Sequence, residues 1–199
     1  MQEIEIRAVI PDPKVIQMRL FERGFELVGS LHQTDIIFDR PDASLFNSGR
    51  KIRIRIEGDS AELTYKGPFT GNDEASRRSE LNLSISPEQV SGFRVFLEAL
   101  GYPVCFVVPK RRTILRRSRM KVTFDDWPMI GCLVEIEGDE REARQLASEI
   151  APEIQFGNYR LRELIRREEA RSGLSLEELQ ARYESEHGVK LGNIKLLLE

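Results

Sequence analysis

The chain has 199 residues, of which 40% are hydrophobic and 32% are charged, and its formal net charge is −3 at pH 7. This composition suits a globular protein with a sizeable core, and the slight negative charge argues against a general nucleic-acid binder. No apolar run approaches the roughly 20 residues that cross a bilayer, and the opening "MQEIEIRAVI" lacks the features of a signal peptide. We therefore expect a cytoplasmic protein without a membrane partner.

Alternation of apolar and polar residues predicts eight β-strands, enough to close a barrel. Short polar segments, "EGDSAE" and "RRSR", predict hairpin turns after the third and sixth strands. Two cysteines in strand-like stretches, Cys105 and Cys132, predict buried thiols. In chain order the predicted strands are Gln2–Ile10, His32–Asp39, Lys51–Glu57, Ala61–Lys66, Ser79–Ile85, Val104–Leu115, Met120–Asp125 and Cys132–Glu137.

Capping residues predict the helices between and after these strands. Asp12 is the N-cap of a first helix that ends at Gly24, and Ser86 with Gln89 forms a capping box at the start of another. Two later segments, "DEREARQLASEI" and "NYRLRELIRREEAR", predict further helices, and a last helix begins at Ser175. The closing "GVKLGNIKLLLE" receives no assignment.

Charged side chains share one face on most of the predicted strands, and branched apolar residues occupy the other face. "EIEIR" places Glu3, Glu5 and Arg7 together, and "KIRIR" does the same for three basic residues. An open sheet with one wet face explains this alternation, and so does a closed barrel with a charged tunnel. Carboxylate pairs on the first and last strands, with basic groups clustered on the middle strands, favour the tunnel.

Such a charged face has a definite chemistry. Carboxylate pairs on neighbouring strands can share one or two hard divalent cations, and oxygen ligands indicate Mg²⁺ or Mn²⁺. The basic residues suit a polyanion with several phosphates. Arg53 and Arg55 meet no carboxylate on their own strand face before Glu57, so we expect repulsion that a polyanion relieves. On that expectation, removal of Arg55 leaves folding unharmed or slightly improved.

These motifs, in this order, resemble the CYTH superfamily, the triphosphate tunnel metalloenzymes. "EIEIR" resembles the family's ExExK strand with Arg7 in place of lysine, and "RSELN" resembles RxExE with Asn82 in place of a glutamate. "DIIFD", "LTYKGP", "PKRRT" and "FDDWPMIGCLVEIE" resemble further family segments. The likeness covers about Met1 to Ile165 and is nearest to prokaryotic members described as class IV adenylyl cyclase-like.

The resemblance implies an α+β fold, in which an eight-stranded antiparallel barrel forms a tunnel with a polar charged interior and helices on its outside. It implies a domain over residues 1–170, followed by a helical extension over residues 171–199 that packs on the same domain or on a partner. A homodimer remains one open alternative for the oligomeric state.

The implied activity is metal-dependent hydrolysis of inorganic tripolyphosphate, thiamine triphosphate or a nucleoside triphosphate such as ATP. One alternative is a class IV adenylyl cyclase that makes cyclic AMP and pyrophosphate. Another is a non-catalytic triphosphate-binding protein, favoured if Arg7 and Asn82 mark a decayed site.

The resemblance also implies roles for single residues, with Arg7 and Glu5 as the catalytic pair. The implied ligands of Mg²⁺ or Mn²⁺ are Glu3, Glu5, Glu80, Asp125, Glu135 and Glu137. The implied phosphate-binding residues are Arg7, Arg53, Arg55, Lys66, Arg78, Lys110 and Arg112.

Overall fold

The computed structural model describes residues 3–68, 79–157, 159 and 161–193. Within these residues the chain forms eight β-strands and six α-helices. The strands are β1 (Glu3–Ile10), β2 (Glu26–Phe38), β3 (Lys51–Glu57), β4 (Ser60–Lys66), β5 (Glu80–Ile85), β6 (Val104–Arg117), β7 (Met120–Trp127) and β8 (Gly131–Asp139). The helices are α1 (Pro13–Phe21), α2 (Ser44–Asn47), α3 (Val90–Ala99), α4 (Glu140–Ile150), α5 (Leu161–Ser172) and α6 (Leu176–His187), and a 3₁₀ turn over Pro87–Gln89 precedes α3.

All eight strands belong to one sheet, in the order β1-β8-β7-β6-β2-β3-β4-β5. The antiparallel register places Arg7 of β1 opposite Glu135 of β8, and Asp35 of β2 opposite Arg55 of β3. Both pairs join residues that are far apart in the sequence. The eight-stranded antiparallel sheet with its helices confirms the predicted fold class.

The chain divides into two compact units. The first unit comprises Met1–Leu31 and Lys110–Gly173, and the second comprises His32–Pro109 and Leu174–Glu199. Strands β2 and β6 therefore contribute residues to both units.

In the first unit, α1 and α4 pack with the apolar faces of β1, β7 and β8. Leu20 and Ile150 from the helices join Ile6, Val122 and Ile136 from the strands in one buried cluster. Full burial of each such side chain contributes about 1.5–3 kcal/mol, which fixes which strand face turns inward. The charged residues at alternate positions consequently share the opposite face.

In the second unit, α3 covers the apolar faces of β2, β3 and β4. Val90 and Leu97 of α3 pack in one cluster with Phe38 and Ile54. The predicted capping box at the start of this helical segment is present in full, because the side chains of Ser86 and Gln89 each accept a hydrogen bond from the other residue's backbone amide. The local sequence alone is enough to predict this helix entry.

Two elements differ from the predicted ones. Strand β2 begins at Glu26, six residues before the predicted start, and helix α2 was not predicted. The α2 helix follows Ala43, whose φ of 54° lies in the left-handed region, and Asp39 accepts hydrogen bonds from its amides at Leu45 and Phe46. Helix α2 could not be predicted from apolar residues at helical spacing, because it depends on a left-handed alanine and on a capping carboxylate.

The segment after α6 adds a short bridge beside β6 in the second unit. The amide of Val107 donates to the carbonyl of Leu191 at 2.8 Å, and the amide of Asn193 donates to the carbonyl of Cys105 at 2.9 Å. Leu191 is fully buried. These contacts account for part of the closing segment, whose last six residues lie outside the described ranges. The predicted boundary at residue 170 stays a prediction.

No helix among the described residues is both long enough and apolar enough to span a membrane.

Candidate functional site

The charged strand face of the first unit carries a connected set of acidic and basic side chains on β1, β6, β7 and β8. We call this set the first charged cluster. It consists of Glu5, Arg7, Lys110, Arg112, Asp125 and Glu135.

Asp125 is the buried anchor of two cations in this cluster. Lys110 Nζ donates to its Oδ2 at 2.7 Å, and Arg112 donates to both carboxylate oxygens at 2.5 Å. Burial alone would raise the pKa of Asp125, but the hydrogen bonds and charges of Arg112 and Lys110 outweigh it and hold the pKa below its usual value. Asp125 therefore stays ionised and fixes the heads of both cations.

Glu135 has the opposite electrostatic balance. Desolvation, followed by the charge of Glu5, raises the pKa of Glu135, although Arg7 and Arg112 partly oppose the shift. Its carboxylate oxygens lie 3.6 Å from Arg7 Nη2 and 3.2 Å from Arg112 Nη2. Thr123 also donates to Glu135 at 3.4 Å. A further cation beside Glu5 and Glu135 would offset the desolvation that disfavours the ionised form of Glu135.

Arg7 joins the two carboxylates across neighbouring strands. Its Nη2 contacts Glu5 on the same strand and Glu135 on β8, while its buried Nε finds no hydrogen-bond partner among the described residues. The backbone of Arg7 pairs with Gly157 through two hydrogen bonds, which fixes this strand position. Arg7 thus presents one unused donor within a set of charged groups.

The other predicted residues of this unit lie at the margins of the cluster. Glu137 forms an ion pair with Lys121. Glu3 is opposite Asp139 in the register of β1 and β8, and its side chain lies outside the described part of the chain.

The second unit carries a charged face on β2, β3, β4 and β5. We call it the second charged cluster. It consists of Asp35, Arg53, Arg55, Glu62, Lys66 and Glu80.

Asp35 organises the basic residues of the second charged cluster. Arg55 donates to its two oxygens at 2.7 and 2.8 Å, and Arg53 Nη1 lies 3.8 Å from Oδ2. The expectation that these arginines meet no nearby carboxylate is therefore wrong, although the charge of Arg55 still helps to lower the pKa of Arg53. The carboxylate of Asp35 belongs to the neighbouring strand β2, so the spacing of residues along β3 cannot indicate this partner.

Arg53 is the most buried arginine of this cluster, with a side chain that is only 10% exposed. Desolvation lowers the pKa of Arg53, and the charge of Asp35 partly restores it. Glu62 lies 3.7 Å away, and Thr64 accepts from Arg53 at 3.4 Å. The Nε atom of Arg53 meets no hydrogen-bond partner within the described ranges.

Lys66 and Glu80 form the far end of the second charged cluster, 2.9 Å apart. Asn82, at the position where the family motif has a second glutamate, donates to Glu80 at 3.3 Å. Arg78 lies outside the described residues, so its predicted role stays a prediction.

The sequence patterns predict most members of both clusters but not Asp35 and Glu62, the acidic partners of the arginines in the second charged cluster. Asp35 is the first residue of the segment "DIIFD", so the sequence motif includes the residue but does not indicate that it pairs with Arg55. The register of β3 and β4 places Glu62 opposite Arg55, one diagonal step from Arg53, the arginine with which it pairs. Only strand register reveals either relation.

The donor chemistry of Glu5 and Glu135 fits a small hard cation. No group of three His, Cys, Asp or Glu suited to a metal ion occurs in the part of the chain that the structure describes. Mg²⁺ is commonly held by one or two carboxylates, with waters and substrate phosphates completing its octahedron. Two electrostatically coupled carboxylates therefore fit such an ion, with the remaining ligands supplied from outside the protein.

Comparison with known proteins adds a family and a fold. The model of the CYTH domain matches residues 1–180. A Methanocaldococcus jannaschii protein, provisionally named adenylate cyclase, is 28% identical over 137 residues, which are 69% of this chain and 77% of the relative.

Two solved structures share the fold at low sequence identity. The PH1012 protein of Pyrococcus horikoshii has a TM-score of 0.63 at 19% identity and covers 77% of this chain and 94% of its own. A Hippeastrum protein, provisionally named adenylyl cyclase and described as having a dominant triphosphatase activity, has a TM-score of 0.62 at 17% identity. That match covers 87% of this chain and 96% of the Hippeastrum protein.

Proposed function

The chain belongs to the CYTH family, and on this premise we propose that it is a divalent-metal-dependent enzyme that hydrolyses a triphosphate. The family identified from the sequence motifs is thereby confirmed. Substrate, metal and residue roles are our proposals.

One observation supports this proposal: Glu135, a half-buried carboxylate with a raised pKa, lies between two guanidinium groups and beside a second carboxylate. The carboxylates of Glu5 and Glu135 would hold Mg²⁺ or Mn²⁺. The ion would act as a Lewis acid on a phosphoryl oxygen. Hydrolysis of a phosphoanhydride calls for this combination of carboxylates and fixed positive charge.

The arginines of the first charged cluster would grip the phosphoryl group. Arg112 is held by Asp125 through two hydrogen bonds, so its planar head has a fixed orientation for phosphate oxygens. Arg7 keeps an unused Nε donor among the described residues, and its bidentate geometry differs from that of the lysine in the family motif. We propose that Arg7 orients the phosphate and that Glu5 assists the attacking water.

The second charged cluster would by itself suit phosphate groups through Arg53, Arg55 and Lys66. Each of these cations is already paired with a carboxylate, so a polyanion would add to existing ion pairs rather than relieve repulsion. Such pre-paired cations are held in place before the ligand arrives, which reduces the entropy lost on binding.

Adenylyl cyclase activity is the second candidate, favoured by the name of the M. jannaschii relative. The dominant triphosphatase activity ascribed to the Hippeastrum protein points the other way. Hydrolysis needs only a positioned water, whereas cyclisation needs a nucleoside held so that its 3′-hydroxyl attacks the α-phosphate. We therefore place triphosphatase activity first.

A product assay with tripolyphosphate, thiamine triphosphate and ATP, each with Mg²⁺ or Mn²⁺, tests the proposal. We expect inorganic phosphate, whereas cyclic AMP with pyrophosphate would establish the cyclase and binding without turnover would indicate a sensor. Glu135→Gln should lower kcat by about 100-fold, the usual scale for loss of one charge-stabilising group at a reacting centre.

The matched control is Glu140→Gln, which removes one carboxylate charge from the exposed surface of α4, where Glu140 pairs with Arg144. Its activity should equal that of the wild type. Equal activity of Glu135→Gln and Glu140→Gln would refute the assignment of Glu135.

A further inference from the structure

We infer that Trp127 is a positioning residue for Lys110 in the first charged cluster, because its indole holds the lysine ammonium in place for a phosphate without cancelling its charge. The inference rests on the proposed triphosphate-binding function and on the phosphate-binding role that the family resemblance implies for Lys110. It adds an uncharged residue to a site that was predicted from charged residues alone.

Trp127 is the last residue on the charged face of β7. Side chains at alternate strand positions share a face, so Trp127 lies on the same face as Thr123 and Asp125. Its cross-strand neighbour is Gly131 of β8, which has no side chain to cover the indole. Trp127 is half-buried. The indole therefore ends the charged face beside the first charged cluster.

The turn that follows Trp127 restricts the direction of its side chain. Pro128, Met129 and Ile130 are buried, and the φ of Met129 is 71°, in the left-handed region. A residue other than glycine is unfavourable in this region and persists where the surrounding structure holds it there. Buried residues in the short connection between β7 and β8 thus hold the backbone on which the indole is placed.

Lys110 contacts both this indole and the Asp125 carboxylate. Its Nζ donates to Asp125 Oδ2 at 2.7 Å and lies over the Trp127 ring, 5.5 Å from the ring centroid. The lysine side chain is only 3% exposed. An ammonium within about 6 Å of an aromatic face is attracted by the ring's quadrupole, and more strongly where water is excluded. Two contacts therefore restrain the end of a flexible four-carbon side chain.

A neutral ring suits a cation whose positive charge is needed for a ligand. The Lys110 ammonium shares the Asp125 carboxylate with Arg112. A carboxylate in place of Trp127 would also hold the ammonium, but it would lower the positive charge available to a phosphate. The indole attracts the ammonium and adds no negative charge. An ammonium that is restrained before the ligand arrives also loses less entropy on binding.

The test is titration calorimetry with inorganic tripolyphosphate, at low salt and without divalent cation, so that binding is measured apart from turnover. Trp127→Leu keeps apolar bulk but has no aromatic face, and it should bind about fivefold more weakly than the wild type. Trp127→Phe keeps a weaker aromatic face and should lose about twofold. The control is Phe21→Leu, which removes a half-exposed aromatic side chain from α1 and should keep the wild-type affinity.

A double-variant cycle separates positioning of Lys110 from a general structural role. If Trp127 acts through Lys110, Trp127→Leu should cost no further affinity in a Lys110→Met background. The chain contains one tryptophan, so its fluorescence reports this indole alone, and Lys110→Met should change the emission of the ligand-free protein. Melting curves show whether each variant is folded, and Trp127→Phe gives the same comparison if Trp127→Leu does not fold.

The outcomes distinguish the inference from the proposed function. Wild-type affinity in Trp127→Leu, an equal loss with and without Lys110, or an unchanged emission in Lys110→Met would overturn the inference and leave the proposed function standing. The expected pattern of binding, without release of phosphate when Mg²⁺ is added, would support the inference and remove the proposed hydrolysis. Wild-type protein that binds no tripolyphosphate would overturn both.

Discussion

Replacement of Arg55 by alanine removes the two hydrogen bonds that hold the buried carboxylate of Asp35 in the second charged cluster. The donors lie 2.7 and 2.8 Å from the carboxylate oxygens, and the Asp35 side chain is only 5% exposed. Loss of one partner from a buried ion pair usually destabilises a protein by about 3–5 kcal/mol. Arg53 still lies 3.8 Å from Asp35, so we expect the lower limit, about 3 kcal/mol.

For a chain of this length, that loss corresponds to a fall in Tm of roughly 6–12 °C. The sequence alone predicts the opposite, that removal of Arg55 leaves folding unharmed or slightly improved. The same variant should lose at least about 1.5 kcal/mol of binding free energy for tripolyphosphate, the lower range for a hydrogen bond to a charged group.

Urea unfolding of the wild type, Arg55→Ala, Asp35→Asn and the double variant forms a complete cycle. We expect the double variant to lose less stability than the sum of the single variants, by about 1.5–3 kcal/mol. Arg94→Ala is the control, because Arg94 forms an exposed i,i+4 pair on α3 and should change stability by less than about 0.5 kcal/mol. The role given to Asp35 would be refuted if Arg55→Ala had the same Tm as the wild type. It would also be refuted if the stability losses of the two single variants summed to that of the double variant.

Three further predictions concern ionisation. Because two cations keep the pKa of Asp125 low against its burial, its contribution to stability is complete above the pKa of an unfolded carboxyl and is lost as pH falls through the folded pKa. In Asp125→Asn, the free energy of unfolding should fall less steeply as pH is lowered. An unchanged pH dependence would contradict the role of Asp125 as the anchor of two cations. The pKa of Glu135 is raised, so the free protein gains stability from this group as pH falls through its folded pKa. The rise in Tm caused by Mg²⁺ should consequently become larger as pH increases over the acidic range. It should largely disappear in Glu135→Gln but persist in Glu140→Gln. A rise in Tm that does not depend on pH would contradict competition between the metal and the proton for Glu135. Burial raises the pKa of Cys105 to about 11 and that of Cys132 to about 12, so neither native thiol should react promptly with an aromatic disulfide reagent at pH 8, whereas both should react in urea.

Features that depend on local chemistry were predictable from the sequence. The alternation in "EIEIR" and "KIRIR" identified the charged strand faces, and Ser86 with Gln89 identified a helix entry. The first part of β2 was missed because "ELVGSL" contains Gly29 and Ser30 and alternates weakly, although it continues the strand. The pairing of Asp35 with Arg55 was missed because it is created by the register of two strands, which the sequence of either strand does not contain.

The nesting of the two units also bears on the order in which the chain folds. The first unit needs the N-terminal strand and residues up to Gly173, and the second unit needs its central strands together with Leu174–Glu199. During synthesis, β3, β4 and β5 leave the ribosome well before Leu191 arrives to bond with Val107. Each unit therefore joins segments that are made at widely separated times, since the first needs Lys110–Gly173 beside the N-terminal strand and the second needs residues from Leu174 onward. Contacts between residues so distant in sequence also slow folding, because long loops must close before those contacts stabilise anything.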